Sequence, residues 1–155
     1  MSSDRWVDTR VERAAILAVE RSILEHTDLI TASPAVDFGI DLLAFQVNPF
    51  GVIPVQVKGA HSGLKVWSKY DEGPIVVAYV LEPLGDAPTV CIMSGHEAWN
   101  LPNEYVKRGG RASDHAAEND SYRWASVTKL LRSILAEYEA TSEKWMTLYE
   151  EVRAR

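Results

Sequence analysis

The sequence predicts an α/β domain in which a central mixed β-sheet is flanked by α-helices. Three observations support this: an apolar stretch of good helix formers near the start, several short β-branched apolar runs in the middle, and apolar residues at helical spacing near the end. A chain of 155 residues, 46% hydrophobic and 25% charged, has the composition of a globular protein with a real core. We see no internal repeat or linker, so we expect one domain over residues 1–155.

The first predicted helix covers residues 9–26. Thr9 and Glu12 have the spacing of a capping box, with Thr9 as N-cap and Glu12 at the third helical position. Residues 14–19 are continuously apolar, which favours a helix packed against a sheet over one on the surface. Glu20 directly follows this apolar stretch and is therefore a notable carboxylate.

The middle of the chain is predicted to be mostly strand. A short extended segment at 29–31 precedes a hairpin whose strands cover about 39–47 and 52–58, joined by the turn-forming residues 48–51. Apolar or β-branched runs predict further strands, and these lie at 64–68, 75–81 and 89–93.

After the strands, a helical turn is predicted at 96–99 and a polar loop at 101–120. Apolar residues at helical spacing predict C-terminal helices within about 122–153. Residues 140–142 either bend this helical region or divide it in two, and Ser142 is a candidate N-cap for the second helix.

The predicted hairpin carries three side chains that can act together. Gln56 and Lys58 point the same way, because residues two apart on a strand share a face. If the turn is centred on 48–51, Asp41 lies across from Lys58, and directly opposed residues also share a face. A carboxylate, an amide oxygen and an ammonium group on one patch of sheet are typical of a site for a metal ion and a phosphate.

This arrangement resembles the PD-(D/E)xK nuclease superfamily, in particular the Mrr-like restriction endonucleases and archaeal Holliday junction resolvases. In those nucleases, a sequence segment similar to residues 37–42 precedes a hairpin that ends in Gln/Glu-x-Lys, and residues 56–58 of this chain have that pattern. The resemblance covers about residues 8–93. It implies a restriction-endonuclease-like core with a C-terminal helical extension, and hydrolysis of phosphodiester bonds in DNA with Mg²⁺ or Mn²⁺, in restriction, repair or phage defence.

The resemblance also implies a role for each site residue. Asp41 would bind the metal through its carboxylate, Gln56 through its side-chain oxygen and Val57 through its backbone carbonyl, since Mg²⁺ prefers oxygen ligands. Lys58 would orient or help deprotonate the attacking water and offset charge on the phosphate. Glu20 would complete the site as the acid that many members carry on their first helix.

Simpler explanations exist for these residues. Asp41 could be a turn residue, Lys58 could protect a sheet edge, and Gln56 could face solvent. Glu20 could pair with an arginine on the surface, and Asp37 is either a second metal ligand or a loop residue.

The neutral Gln56 departs from the Asp or Glu that many members of the superfamily have, which weakens cation binding. It therefore leaves open an alternative function, a catalytically inactive nuclease-like module that binds a protein partner or nucleic acid.

Nucleic acid is the expected partner, and the candidate contacts are basic side chains at His61, Lys65, Arg108 and Arg111. The net charge of −6 argues against nonspecific coating of nucleic acid. A homodimer is also expected, with the helix that carries Trp145, Leu148 and Tyr149 as its interface, and a protein partner could supply targeting.

A cytoplasmic location away from membranes is expected. The sequence has no apolar run long enough to cross a bilayer, and its first residues lack the layout of a secretory signal. Cys91 is the only cysteine, so no internal disulfide can form.

Overall fold

The computed structural model describes residues 3–36 and 38–155. The helices are α1 (Ser3–His26), α2 (Gly95–Lys107), α3 (Lys129–Ala136) and α4 (Ser142–Arg153). The strands are β1 (Ile30–Ala32), β2 (Leu42–Val47), β3 (Phe50–Ala60), β4 (Leu64–Trp67), β5 (Val76–Leu81), β6 (Thr89–Ser94), β7 (His115–Glu118) and β8 (Ser121–Trp124). Single turns of 3₁₀ helix lie at Ser68–Tyr70 and Ala112–Asp114.

Five strands form the central sheet, in the order β1-β2-β3-β5-β6. β3 and β5 run parallel, whereas the other neighbours are antiparallel, so the sheet is mixed. β4, β8 and β7 form a second, antiparallel sheet of three strands. The predicted α/β class with a mixed central sheet flanked by helices is thus confirmed, while the second sheet was not predicted.

The two faces of the central sheet are covered differently. On one, which we call the helix face, residues such as Ile53, Val55 and Val57 pack in a cluster with α1 and α4. The other, the outer face, is covered over β5 and β6, where α2, α3 and the second sheet bury residues such as Tyr79 and Met93. None of the helices in the described ranges combines the length and apolarity needed to cross a bilayer.

The first helix is longer than predicted. α1 starts at Ser3, so the predicted N-cap at Thr9 is wrong. Thr9 lies inside the helix, where its hydroxyl donates to the carbonyl of Arg5 (2.8 Å), a bond that mid-helix threonines commonly make.

The predicted loop at 101–120 is also wrong. Most of its first half belongs to α2, and β7 lies in its second half. The start of α2 has a capping box, in which Glu97 N donates to the Ser94 hydroxyl (3.2 Å) and Ser94 N donates to the Glu97 carboxylate (2.8 Å). At the start of α4 the N-cap is Thr141, one residue before the predicted Ser142.

The helix predicted as a dimer interface belongs to the core. Trp145, Leu148 and Tyr149 of α4 are buried against the helix face of the sheet. The Trp145 indole N–H donates to the hydroxyl of Ser22 on α1 (3.0 Å). These side chains therefore cannot contact a second molecule, and this predicted interface is wrong.

Candidate functional site

The turn of the hairpin is tighter than predicted, and this changes which residues face each other. Only two residues separate Val47 from Phe50, the ends of β2 and β3. Leu42 pairs with Val55, and Asp41 N donates to the Val55 carbonyl (3.0 Å). Asp41 therefore meets Gln56 and Val57, and its predicted position across from Lys58 is wrong.

The carboxylate of Asp41 is held by the neighbouring strand. Its Oδ2 accepts a hydrogen bond from Gln56 Nε2 (2.8 Å) and another from the backbone N–H of Val57 (2.7 Å). The Val57 amide would otherwise lack a partner, because β2 has ended at this level of the sheet. Asp41, Gln56 and Val57, three of the predicted site residues, are thus brought together, with the amide rather than the carbonyl of Val57 in contact with the acid.

Two buried polar atoms beside this carboxylate have no hydrogen-bond partner among the described residues: Gln56 Oε1 and the hydroxyl of Tyr70. Burial raises the pKa of Tyr70 well above its ordinary value, and the negative charge of Asp41 raises it further. Tyr70 follows Lys69 in the 3₁₀ turn, and sequence reasoning singled out neither of them.

Gly39 lies next to Gln56 and Lys69. Its φ is +77°, in the left-handed region that glycine tolerates best. A Cβ placed there would lie 3.8 Å from Gln56 Oε1 and 3.7 Å from Lys69 Nζ, so both atoms lie close to this glycine. Phe38, Gly39, Lys69 and Tyr70 line part of one cleft of about 390 Å³.

The donor atoms at this place suit a hard cation. Mg²⁺ takes oxygen ligands, usually from one or two carboxylates, and keeps several waters. Asp41 supplies one carboxylate, and the unpartnered Gln56 Oε1 supplies a neutral oxygen. Across the described ranges there is no group of three or more His, Cys, Asp or Glu side chains placed to hold a metal.

Lys58 lies two residues beyond Gln56 on β3 and opens onto a different cleft, of about 500 Å³. Asp8 and Glu12 of α1 line this cleft, together with the predicted contacts His61 and Lys65. Its remaining charged residue is Arg123 of β8, which sequence reasoning missed. Within the part of the chain that the structure describes, Lys58 forms no ion pair, although Asp8 and Glu12 line the same cleft.

Glu20 is not part of this site. Its carboxylate accepts a hydrogen bond from the Thr31 hydroxyl (2.9 Å) on the edge strand β1. Thr31 pairs with Ala44, which in turn pairs with Ile53 of β3. Ile53 is three residues before Gln56, so Thr31 is displaced from Gln56 by about 10 Å along the strand direction. Glu20 also lies on the helix face, whereas the Gln56 side chain alternates to the outer face. The acids of α1 that line the cleft of Lys58 are Asp8 and Glu12, and Glu12 lies about two helical turns before Glu20.

Of the predicted nucleic-acid contacts, Lys65 lies at the Lys58 cleft, where it is already engaged. Its ammonium group pairs with Glu118 (3.4 Å) and lies over the Trp67 ring (4.1 Å).

Arg108 and Arg111 lie outside both clefts, at the end of α2 and beyond it. Arg108 forms ion pairs with Glu104 (3.4 Å) and Glu137 (2.7 Å), and Arg111 with Asp114 (3.5 Å). These acids offset their charge, so the two arginines do not join His61 and Lys65 in a continuous basic surface. Asp37, the other candidate ligand, lies outside the described residues.

Comparisons of this chain with protein-family models, with curated proteins and with solved structures found no match.

Proposed function

We propose that the protein is a metal-dependent nuclease that hydrolyses phosphodiester bonds in DNA. The observation that carries this proposal is the buried, unpartnered Gln56 Oε1 beside the Asp41 carboxylate. Leaving a buried acceptor unpaired costs about 1–3 kcal/mol, and a bound cation would remove that cost. Asp41 and Gln56 would hold the metal, which supplies charge stabilisation at a phosphoryl oxygen and a more acidic water.

Lys58 would contribute the second part of the chemistry. It follows Gln56 by two residues on the same face of β3, a separation of about 7 Å. A phosphate bound beside β3 would therefore contact the Lys58 ammonium group while one of its oxygens faced Asp41 and Gln56. The lysine would neutralise charge that develops on that phosphate.

The cleft beside Lys58 offers a path for the nucleic acid backbone. Lys65 and Arg123 face each other directly across β4 and β8, on the outer side of the second sheet. Glu118 already pairs with Lys65, so a backbone phosphate would compete with that carboxylate for Lys65 and would contact Arg123 directly. Asp8 and Glu12 on the opposite wall would repel a backbone that came closer to α1.

The test is cleavage of supercoiled, linear, single-stranded and branched DNA, and of RNA, with Mg²⁺ or Mn²⁺. Asp41→Asn and Lys58→Ala are the test variants; Asp41→Asn keeps an acceptor oxygen while it removes the charge. Glu20→Gln and Lys107→Ala are matched controls, because they remove the same types of charge away from both clefts. Cutting by the wild type and both controls, with a loss of at least about 100-fold in the test variants, would support the proposal.

Calorimetric titration with Mn²⁺ separates metal binding from cleavage. Wild type and Glu20→Gln should bind in the micromolar to millimolar range. Asp41→Asn should bind at least about tenfold more weakly, since this carboxylate is the charged ligand that the described residues supply. Unchanged binding in Asp41→Asn would place the metal elsewhere and refute this site.

A second candidate function is a catalytically inactive nuclease-like module. It is favoured by the two hydrogen bonds that Asp41 Oδ2 already accepts, because a carboxylate engaged by an amide side chain and a backbone N–H has a structural role without any metal. No Mn²⁺ binding by the wild type at millimolar concentration, together with no cutting of any substrate, would favour this function.

A further inference from the structure

The outer face of the central sheet is uncovered over its first three strands. Strand pairing places one row of residues across it at Ile30, Phe45 and Val52, and the next at Ala32, Leu43 and Pro54. Val47 and Phe50 form a third, shorter row at the turn. All eight side chains are apolar, and we call this surface the open patch.

The open patch is exposed to an unusual degree for apolar sheet residues. The exposed fractions are 72% for Phe50, 68% for Val47, 53% for Ile30 and 42% for Val52, and the other four residues are half-buried. None of the eight packs in either core cluster. On the same face, the side chains of β5 and β6 are almost completely buried. The layer formed by α2, α3 and the second sheet therefore ends at β3.

The area of the patch matches one side of a protein–protein contact. Its apolar exposed surface is roughly 600 Å², at the upper end of what a monomer usually shows, and a standard interface buries about 800 Å² on each partner. The surface is therefore large enough to support a stable complex once its rim is included.

We propose that a second copy of this chain covers the open patch, so that the protein is a homodimer with the two sheets packed face to face. The patch contains no lysine, arginine, aspartate or glutamate. A nucleic acid would find no cation there, whereas two identical charge-free apolar faces complement each other across a two-fold axis. Contact through this patch also keeps the acidic side chains of two chains of net charge −6 away from the interface. Sheets that pack in this way lie about 10 Å apart, with interdigitating side chains.

The test is the mass of the particle in solution, measured by sedimentation equilibrium from about 1 to 100 μM, the range in which such interfaces associate. Wild type should approach twice the 17.3 kDa of one chain. Val52→Glu should weaken association at least about 100-fold, because a buried carboxylate without a partner opposes the contact. Phe50→Glu, at a more exposed position, gives a second variant whose folding is less at risk.

Leu24→Glu is the matched control, because Leu24 is an exposed leucine on α1, outside the patch. It should dimerise like the wild type, and circular dichroism should show all four proteins folded. A wild-type mass of 17.3 kDa across the whole concentration range would overturn the proposal. Binding of this monomer to lipid vesicles would overturn it in the same way, because the patch would then serve a membrane and not a second copy. A Val52→Glu and a Phe50→Glu protein that dimerise as tightly as the wild type would overturn it as well.

Discussion

Truncating Asp41 should destabilise the protein, because its carboxylate holds two groups of the neighbouring strand β3. Its Oδ2 accepts one hydrogen bond from Gln56 Nε2 at 2.8 Å and one from the Val57 amide at 2.7 Å. Hydrogen bonds to a charged group contribute about 1.5–3 kcal/mol each. Water can replace part of this at a half-buried position, so we expect Asp41→Ala to cost about 3 kcal/mol.

Asp41→Asn tests the reason for that cost. Asparagine keeps an acceptor oxygen at the same place, so it retains both bonds in their weaker, neutral form and should cost only about 1 kcal/mol. The assay is urea unfolding followed by tryptophan fluorescence, with the dependence on urea concentration expected to match that of the wild type. If Asp41→Ala were as stable as the wild type, or more stable, the two hydrogen bonds would not have the structural role assigned to them.

Three further predictions concern the core. Gly95→Ala should lower stability by at least about 2 kcal/mol in a thermal melt, because the new Cβ would collide with the backbone carbonyl of Tyr70. Ser22→Ala should cost about 1–2 kcal/mol in urea unfolding, since the buried indole N–H of Trp145 loses its acceptor. Burial raises the pKa of Cys91 from 9.0 to about 12. The folded state therefore keeps the thiol neutral while the unfolded chain ionises, so this contribution is complete below about pH 9 and is lost between about pH 9 and 12. The free energy of unfolding of the wild type, relative to that of Cys91→Ala, should fall by about 2 kcal/mol between pH 8 and 10.5. If this difference between the two proteins stayed constant with pH, the assignment would be refuted.

The strands of the central sheet were predictable because short runs of apolar and β-branched residues, bounded by turn-forming residues, give a local signal. The predicted strands at 75–81 and 89–93 agree with β5 and β6 to within one residue at each end. The hairpin was also recognised, but its register was not. Moving the turn by one residue shifts every cross-strand pair by two, so Asp41 was assigned to Lys58 although it meets Gln56.

The helices show where local signals mislead. The spacing of Thr9 and Glu12 predicts a helix start inside α1, whereas the capping box that forms in the structure is at Ser94 and Glu97. Pro102 and the polar residues of α2 obscured a helix whose apolar side packs under the second sheet.

The choice of Glu20 failed for a different reason. Glu12 and Glu20 lie eight residues and about 12 Å apart on the same helix, and only the tertiary arrangement shows which is closer to Lys58. The short sequences of β7 and β8 show no regular alternation of apolar and polar residues. The second sheet, which brings Arg123 to the Lys58 cleft, was therefore not predictable from the sequence.

The helix face has a consequence for how the chain folds. α1 and α4 cover the same side of the sheet, and the bond between Ser22 and Trp145 joins residues 123 positions apart. At typical synthesis rates α1 would wait on the order of 10 s on the ribosome before α4 is made. During that interval its apolar side has only an unfinished sheet to pack against. We therefore expect folding to depend on long-range closure, and the nascent chain to need protection from aggregation until α4 has emerged.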